Sequence, residues 1–381
     1  SANAIKRTLQ ERLDDRTSVR SFGAKGDGVT NDTLALQRAI DQLYLNGATK
    51  GSVESRIVLH IEAGTYIIND TLYIPPHVNI IGAGSDKSII KMTANKPAMI
   101  TVNSASTPGV PASDSASSNI NMASNIIMQG LTIQTTAVGA ATANTISSDA
   151  DPDTGHGLIL QSCKDSMFDD IKFLGTWVNG AVNLDDNAVV MNSLSGSVTS
   201  DNNKFVNCTF QGFGTAVRSN WDTDDNTFTG CRFETLGQGI RFGETMTLSN
   251  IASGQNKGPS SNVIEKSIFN DVHREAIRIY NGINNVSKNN KFTECANNGN
   301  IETLPSFSVI RYEKDSNKSF NDYFARTYAL SNGNNLDTVP YLPEVSGTGF
   351  FKMPFENVLE FGQVTNVTLF RLPGVIRLYT R

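Results

Sequence analysis

The fold is decided by an octet that recurs along the chain: NKFVNCTF (203–210), NTFTGCRF (226–233), NVIEKSIF (262–269) and the incomplete NKFTECA (290–296). Two earlier blocks match more loosely, NIIMQGLTI (125–133) and SMFDDIKF (166–173). The shared pattern is Asn, any residue, a large apolar residue, two variable residues, a small or apolar residue, any residue and an apolar residue. Such a unit cannot bury its apolar face alone and must stack on its copies, which is typical of a solenoid.

A second short motif follows the blocks and reads AVNL (181–184), AVRS (216–219), GIRF (239–242), AIRI (276–279) and VIRY (309–312). Its period of two places an apolar residue on one side and, on the other side, Asn183, Arg218, Arg241, Arg278 and Arg311. Strands this short, with no helical period between them, favour coils of parallel strands over βαβ units. We therefore predict a single-stranded parallel β-helix with Phe, Ile and Cys columns in its core.

Bulk composition limits the class of protein. The chain has 381 residues, of which 39% are hydrophobic, with a formal net charge of −5 and a pI near 5.5. An acidic chain is poorly suited to the phosphate backbone, so we expect no nucleic-acid binding. No apolar run approaches the about 20 residues of a membrane-spanning helix and no signal peptide opens the chain, so we expect no membrane insertion.

The four cysteines indicate a reduced core and assembly in a reducing cytoplasm. Cys208, Cys231 and Cys295 are predicted to share one column of the repeat, and Cys163 precedes the SMFDDIKF block. Free Cys is among the most buried residue types, so this column would be a stack of small apolar groups. Neither the cysteines nor the four histidines have the spacing of a zinc site, and we predict no metal site and no cofactor.

Two helices are predicted before the coils. Residues 1–20 have apolar residues at helical spacing and are predicted to form a helical neck. A capping helix is predicted at about 32–45, with Asn31 or Asp32 suited to its N-cap. Its apolar stripe consists of Leu36, Ile40 and Leu43. This helix would cover the open end of a β-helix that extends over residues 21–315.

The remaining segments are predicted from composition. Residues 103–124 and 135–154 are rich in Ser, Ala, Thr and Asn and are predicted as long loops inserted between early coils. Residues 316–348 are polar with Gly and Pro and are predicted as a linker. Alternation returns afterwards, so residues 349–381 are predicted as the start of a small C-terminal β-strand domain.

A resemblance to a known family lies near the N-terminus. It is carried by FGAKGDGVTNDT (22–33), AGTY (63–66), IPPHVNIIGAG (74–84) and SIIKM (88–92). These motifs resemble the pectate-lyase-like superfamily of right-handed parallel β-helices. The resemblance extends in particular to phage tailspikes and tail appendages, in which a segment similar to residues 5–28 joins an N-terminal attachment part to the β-helix.

This resemblance implies a homotrimeric, virion-borne β-helix that is made in the host cytoplasm and acts outside the cell. Proteins of this type bind, and often cleave, cell-surface polysaccharide of the host. The N-terminus would join other tail proteins of the virion. Asp27 and Asp32 lie in the most recognisable motif, but we interpret them as turn and capping residues rather than as catalysts.

The candidate ligand-binding residues are the outward side chains of the second motif, Arg218, Arg241, Arg278 and Arg311. Coils are about 4.8 Å apart, so these arginines would form a vertical stripe. Small residues two positions earlier would form a shallow strip beside it. The arginines suit carboxylates or phosphates of an anionic sugar chain. The alternative is a subunit interface, since such ladders commonly serve packing and charge balance.

Catalysis on this surface would need paired carboxylates, about 5–5.5 Å apart for retention of configuration or about 6.5–9.5 Å apart for inversion. The candidates are Asp185, Asp222 and Glu244, which lie next to the predicted stripe. GHG (155–157) and RIY (278–280) resemble elements of polygalacturonase-like hydrolases. Their order differs and the Lys is missing, so we interpret them as turn and strand residues.

Three hypotheses about function follow. The first is a trimeric phage tailspike or tail fibre component that binds a host surface polysaccharide. The second is a depolymerase, either a glycoside hydrolase or a polysaccharide lyase, on the same scaffold. The third is a structural stalk of the virion without glycan activity.

Overall fold

The computed structural model describes residues 16–44, 58–102, 123–136, 155–178, 186–192, 199–219, 223–243, 258–280, 282–295, 310–312, 318–320, 322–325, 344–345, 358–361 and 375–378. Within these residues there is one α-helix, α1 (Thr33–Tyr44), and one 3₁₀ helix (Val19–Phe22). The remaining elements are short strands.

In chain order the strands are β1 (Arg16–Ser18), β2 (Asp27–Asn31), β3 (Val58–Ile61), β4 (Gly64–Ile68), β5 (Leu72–Ile74), β6 (Asn79–Gly82), β7 (Ser88–Met92), β8 (Met99–Thr101), β9 (Ile127–Thr135), β10 (Leu158–Gln161), β11 (Met167–Leu174), β12 (Asn187–Asn192), β13 (Lys204–Val206), β14 (Thr209–Gln211), β15 (Thr215–Ser219), β16 (Thr227–Thr229), β17 (Arg232–Leu236), β18 (Gln238–Phe242), β19 (Val263–Glu265), β20 (Ile268–Val272), β21 (Ile277–Ile279), β22 (Val286–Lys288), β23 (Lys291–Cys295), β24 (Ile310–Tyr312), β25 (Lys318–Phe320), β26 (Tyr323–Ala325), β27 (Glu344–Val345), β28 (Val358–Phe361) and β29 (Val375–Leu378).

The described strands pair in parallel and form the faces of one coil. The first face contains β1, β3, β6, the first halves of β9 and β11, β13, β16, β19, β22 and β25. The second contains β2, β4, β7, the second halves of β9 and β11, β14, β17, β20, β23, β26, β28 and β29. The third contains β5, β8, β10, β12, β15, β18, β21, β24 and β27. The predicted all-β parallel β-helix is therefore confirmed.

The core is a continuous stack of aromatic and aliphatic side chains. Phe205 pairs with Phe228, and Phe228 pairs with Ile264, so the predicted column exists. The ring centroids of Phe205 and Phe228 are 4.8 Å apart. A second column has the same offset-stacked spacing and consists of Phe173, Phe210, Phe233, Phe269 and Phe292. Each ring buries a large apolar area and favours the same register as its neighbours.

The asparagines that open the octets form a buried ladder of Asn203, Asn226, Asn262 and Asn285. The backbone N–H of Asn203 donates to Oδ1 of Asn226 at 2.9 Å, and the bond recurs in the next coils at 3.0 Å. The left-handed backbone conformation is adopted by the residue before each of these asparagines, for example Asn202 with φ 52° and Asp225 with φ 56°. The ladder therefore satisfies backbone groups at a corner where strand pairing is interrupted.

The register corrects two details of the predicted repeat. In place of the predicted NKFTECA (290–296), the octet that follows NVIEKSIF is NVSKNNKF (285–292), because Val286 pairs with Val263 and Phe292 with Phe269. The AVNL motif is replaced by β12, where Val190 pairs with Arg218. Asn-rich turns and repeated Ala-Val pairs allow more than one alignment, and only strand pairing selects between them.

The cysteines are all free and buried, as predicted. Cys295 does not share the column of Cys208 and Cys231, because it pairs with Val272, which itself pairs with Leu236. The predicted column for Cys295 is wrong for the same reason as the predicted octet, because the sequence there allows more than one alignment.

The N-terminal elements confirm the capping helix and correct part of the neck. In α1, Leu36, Ala39 and Ile40 are buried against the core. Residues 16–20 of the predicted neck are not an α-helix, since β1 pairs with β3 and a 3₁₀ helix follows. Residues 1–15 lie outside the described residues, and the neck stays a prediction there.

The two aspartates of the N-terminal motif have the predicted structural roles. The carboxylate of Asp32 accepts the backbone N–H groups of Lys25 at 2.8 Å and Gly26 at 2.9 Å. Asp27 accepts those of Val29 and Thr30, and these hydrogen bonds lower the pKa of Asp27 to about 2. Carboxylates engaged in this way fix the turn that leads into α1.

The predicted linker at 316–348 contains strands that continue the coil. β25 pairs with β22, β26 with β23, and β27 with β24. β28 and β29, in the predicted C-terminal domain, extend the second face beyond β26. Strands of two to four residues leave too little alternation to be recognised in a polar sequence.

Two further expectations can be compared with the structure only over the described residues. The predicted loops at 103–124 and 135–154 fall almost entirely outside the described residues. In the described part of the chain, no helix is long and apolar enough to cross a membrane.

Candidate functional site

The third face carries the arginines in register. Arg218 pairs with Arg241, Arg241 with Arg278, and Arg278 with Arg311, so these residues occupy consecutive coils. We call them the arginine column. In β12, the strand that precedes β15 on this face, Val190 occupies the position that the arginines hold in the later strands. Like charges in close contact repel one another by about 1 kcal/mol per pair in water, so an anion that contacts neighbouring arginines would gain electrostatic energy.

An aromatic ring and a carboxylate orient two of these arginines. The guanidinium carbon of Arg278 lies 4.3 Å from the centroid of the Tyr280 ring, and that of Arg241 lies 5.3 Å from it. Nη1 of Arg278 also lies 2.9 Å from Oε1 of Glu275. Cation–π contacts of this kind contribute about 0.5–2 kcal/mol and restrict the direction of the planar groups.

Glu275 is fully buried and both of its oxygens accept hydrogen bonds. Oε2 accepts from Nε2 of Gln238 at 2.9 Å, while Oε1 faces Arg278. A carboxylate held by two donors and closed to solvent is a structural anchor, because removing one partner leaves a buried charge uncompensated.

The surface beside the arginines differs from the predicted strip of small residues. Ala216 and Ala276 belong to the buried core, and so do Val217 and Ile277, the residues that follow them. Two successive residues face the core where the chain turns a corner, so the simple alternation shifts by one position. The corner positions are occupied by His156, Asn187, Thr215, Gln238 and Glu275, which we call the corner column.

His156 is neutral and structural. Burial, together with the nearby positive charge of Arg218, lowers the pKa of His156 to about 3. The backbone N–H of Asn187 donates to Nδ1 of His156 at 3.2 Å, so Nδ1 is an acceptor. The GHG sequence therefore supports the corner column, in agreement with its interpretation as a turn.

Other buried polar atoms lie around this corner. The rings of Trp177 and His273 meet edge to face with centroids 5.2 Å apart. Within the described residues, Nε1 of Trp177, Nε2 of His273 and Oε1 of Gln238 have no hydrogen-bond partner. Such atoms can bond to water or to a polar ligand.

The predicted catalytic residues Asp185, Asp222 and Glu244 lie outside the described residues, so their role stays a prediction. Asp224, two residues after Asp222 in the sequence, accepts hydrogen bonds from the backbone N–H and hydroxyl of Ser260 at 2.7 and 2.8 Å, and burial raises the pKa of Asp224. Among the residues that the structure describes, no three His, Cys, Asp or Glu side chains group closely enough to hold a metal ion.

Sequence reasoning placed Glu275 among the acidic residues near the arginines but did not identify Gln238 and Tyr280 as parts of this surface. A signal existed, because QGIR (238–241) and EAIR (275–278) place a polar residue directly before each core residue of the motif. Strict period-two alternation assigns that position to the same side as the core, and this assignment fails at a corner.

Comparison with known proteins gives one family match. The model of the family described as "Rhamnogalacturonase A/epimerase, pectate lyase-like" matches residues 16–301.

Two curated relatives match shorter segments. Mannuronan C5-epimerase AlgE2 of Azotobacter vinelandii is 38% identical over 82 residues, which cover 20% of this chain and 7% of that protein. The preneck appendage protein of Bacillus phage PZA is 29% identical over 90 residues, which cover 24% of this chain and 9% of that protein. The chain therefore matches less than a tenth of the length of either relative.

Among solved structures, a variant of DFA-IIIase from Arthrobacter chlorophenolicus A6 superposes with a TM-score of 0.59 at 12% identity, covering 96% of this chain and 81% of that one. At this identity the likeness concerns the fold alone.

Proposed function

The chain belongs to the pectate lyase-like family described as rhamnogalacturonase A/epimerase, which confirms the resemblance found in its sequence, and from this premise we propose that it is a phage tail component whose β-helix binds an anionic host polysaccharide. The observation that carries the proposal is the arginine column, repeated in register on the outside of the third face. Similarity to a phage preneck appendage protein supports the virion assignment.

The geometry favours a ligand with a repeating negative charge. Strand pairing spaces these arginines about 4.8 Å apart along the coil axis, and a planar guanidinium can bind a carboxylate or phosphate through two parallel N–H groups. Tyr280 restricts the direction of two of the arginines. A charged polymer that lies along the axis would contact several arginines at once. Binding would cost little side-chain entropy at the two arginines that Tyr280 already orients.

The proposal is tested by binding oligosaccharides of uronic acids to the full chain by calorimetry. Arg218→Ala and Arg241→Ala should each weaken binding about tenfold, since a charged hydrogen bond contributes about 1.5–3 kcal/mol. Affinity should also fall as salt is raised. Arg20→Ala, which removes an arginine at the capped end near Glu62, is the matched control and should leave binding unchanged. Equal affinities of all these variants for the acidic oligosaccharide would refute the proposal.

A second candidate is a depolymerase, favoured by the enzymes named in the matching family and among the relatives. Incubation with host capsule or lipopolysaccharide would then release new reducing ends or unsaturated sugars. Cleavage lost in Asp185→Ala, Asp222→Ala or Glu244→Ala would assign the catalytic carboxylates. Binding without cleavage supports a receptor-binding role. If the protein neither binds nor cleaves these glycans, the remaining hypothesis is the structural stalk. It would be a trimer that joins tail proteins through its N-terminus.

A further inference from the structure

The second face carries a polar groove that no residue of the arginine column lines. Its volume is about 220 Å³, and its charged and amide lining side chains are Asp86, Asp170, Lys172, Gln211, Arg232 and Glu234. We propose that this groove is a separate site for one uncharged sugar unit of a polysaccharide. The inference extends the proposed function to a second face and does not depend on anion binding by the first site.

The size of the groove matches a single sugar ring. Lys172 pairs with Thr209 and Thr209 with Arg232, so the floor crosses three successive coils. Two steps of about 4.8 Å give a length of about 10 Å. The volume corresponds to about seven water molecules at their share of the liquid, which suits a hexose with its hydroxyl groups better than a longer segment.

One wall of the groove is a turn held rigidly by hydrogen bonds. The backbone N–H groups of Lys87 and Ser88 both donate to the carbonyl of Gly84, at 2.9 and 3.0 Å. The hydroxyl of Thr132 donates to the carbonyl of Ser85. The backbone that carries Ser85 and Asp86 is therefore fixed, and a ligand does not need to order this turn on binding.

The same turn depends on close backbone contact. Gly84 has a φ of 131° and its N–H donates to the carbonyl of Gly130 at 2.9 Å. At Gly82 a Cβ would lie 2.1 Å from that same carbonyl oxygen, so a larger residue would displace the turn.

The charges in the groove compensate one another. Nε and Nη2 of Arg232 both donate to Oε1 of Glu234, at 3.0 and 2.6 Å. Nζ of Lys172 lies 3.5 Å from Oδ1 of Asp86. Three carboxylates and two cationic groups line the groove, so its formal charge is 2 − 3 = −1. The groove therefore has no excess of positive charge that would favour an anionic sugar, in contrast to the arginine column.

The chemistry of the lining suits hydroxyl groups. Carboxylate oxygens accept several hydrogen bonds each, and the ammonium, guanidinium and amide groups donate them. The carboxylate of Asp170 is already fixed by the hydroxyl of Ser85, which donates to Oδ1 at 2.8 Å. A neutral sugar supplies hydroxyls that donate to the carboxylates and accept from the cations, with no net charge to desolvate.

The test uses the full chain and a panel of uncharged gluco- and galacto-oligosaccharides, with binding followed by saturation-transfer NMR and calorimetry. Glu234→Gln removes a carboxylate from the groove, and Gln211→Trp fills it. Each should weaken binding of the neutral oligosaccharide about tenfold or more. The matched control is Glu265→Gln, because Glu265 pairs with Lys288 at 2.9 Å on the first face, away from the groove.

The same variants are titrated with the uronic-acid oligosaccharide to keep the two proposals distinguishable. Loss of neutral binding with unchanged acidic binding in Glu234→Gln supports a separate site. Failure of the whole panel to bind the unaltered protein, or unchanged neutral binding in both groove variants, would overturn the inference. It would also be overturned if Arg218→Ala abolished neutral binding, because both sugars would then share one site.

Discussion

At the scale of single residues, buried polar side chains hold the corners of the coil. Each asparagine of the ladder donates and accepts across coils, and His156 accepts the backbone N–H of Asn187 through its Nδ1 atom. These groups are removed from water, so each contributes only while its partner is in place. The corner column therefore places its neighbours, including Arg278 through Glu275.

The buried histidine predicts a specific loss of stability in acid. The pKa of His156 is lowered to about 3 in the folded protein, whereas an unfolded chain has a value near 6.5. The neutral, buried imidazole of His156 therefore contributes its full stabilisation of the folded protein above about pH 6.5, and this stabilisation is lost as the pH falls toward 3. Between these values it should steepen the decline of unfolding free energy by about 1.4 kcal/mol per pH unit.

The measurement is the unfolding free energy against pH for the unaltered protein and for His156→Gln, whose amide oxygen can accept the Asn187 N–H. The variant should show a shallower decline between pH 6 and pH 4. Parallel curves over that range would contradict the assignment of a buried neutral histidine.

At the scale of elements, α1 acts as a plug on the open end of the coil. Its inner face inserts Leu36, Ala39 and Ile40 into the core, while Leu34 on the outer face is 69% exposed. Gln37 connects the helix to the coil, since its amide donates to the Tyr73 carbonyl at 3.1 Å and accepts the Tyr73 N–H at 2.8 Å. The helix thereby covers core and strand edges that would otherwise meet water.

Two identical substitutions in α1 should have opposite outcomes. Leu36→Ala leaves a cavity in the core and should lower the free energy of unfolding by about 2–5 kcal/mol. Leu34→Ala, two residues earlier on the exposed side of the helix, should change the free energy of unfolding by less than about 0.5 kcal/mol. Thermal unfolding followed by circular dichroism measures both, and similar midpoints for the two variants would show that α1 does not plug the core.

At the scale of the whole molecule, columns of stacked side chains couple the coils into one unit. The phenylalanine column from Phe173 to Phe292 is continuous, and each ring contacts the rings above and below it. In a solenoid each coil is stabilised mainly by its neighbours, so continuity of such a column determines whether unfolding is cooperative.

The four cysteines report on this cooperativity. Burial raises the pKa of Cys163 to about 12 and also raises the pKa values of Cys208 and Cys295. A thiol-specific reagent should therefore leave all four unmodified in the native protein. In increasing denaturant they should become reactive in one transition, as followed by mass spectrometry of the labelled peptides. Separate transitions for Cys163 and Cys295 would show that the coils unfold independently.

The amino-acid sequence determined the coil itself, because octets with apolar residues at fixed positions can bury those residues only by stacking on one another. It also determined the capping helix through the spacing of Leu36 and Ile40, and the arginine column through the period of two. Tertiary structure alone decided the register of NVSKNNKF and the place of Cys295. It also decided that the corner column, and not the predicted strip of small residues, lies beside the arginines. The reason is that strand pairing and corner geometry select among alignments that local pattern leaves equivalent. The groove on the second face was likewise invisible in sequence, since its walls come from a turn at residues 84–88 and from coils whose residues are far away along the chain.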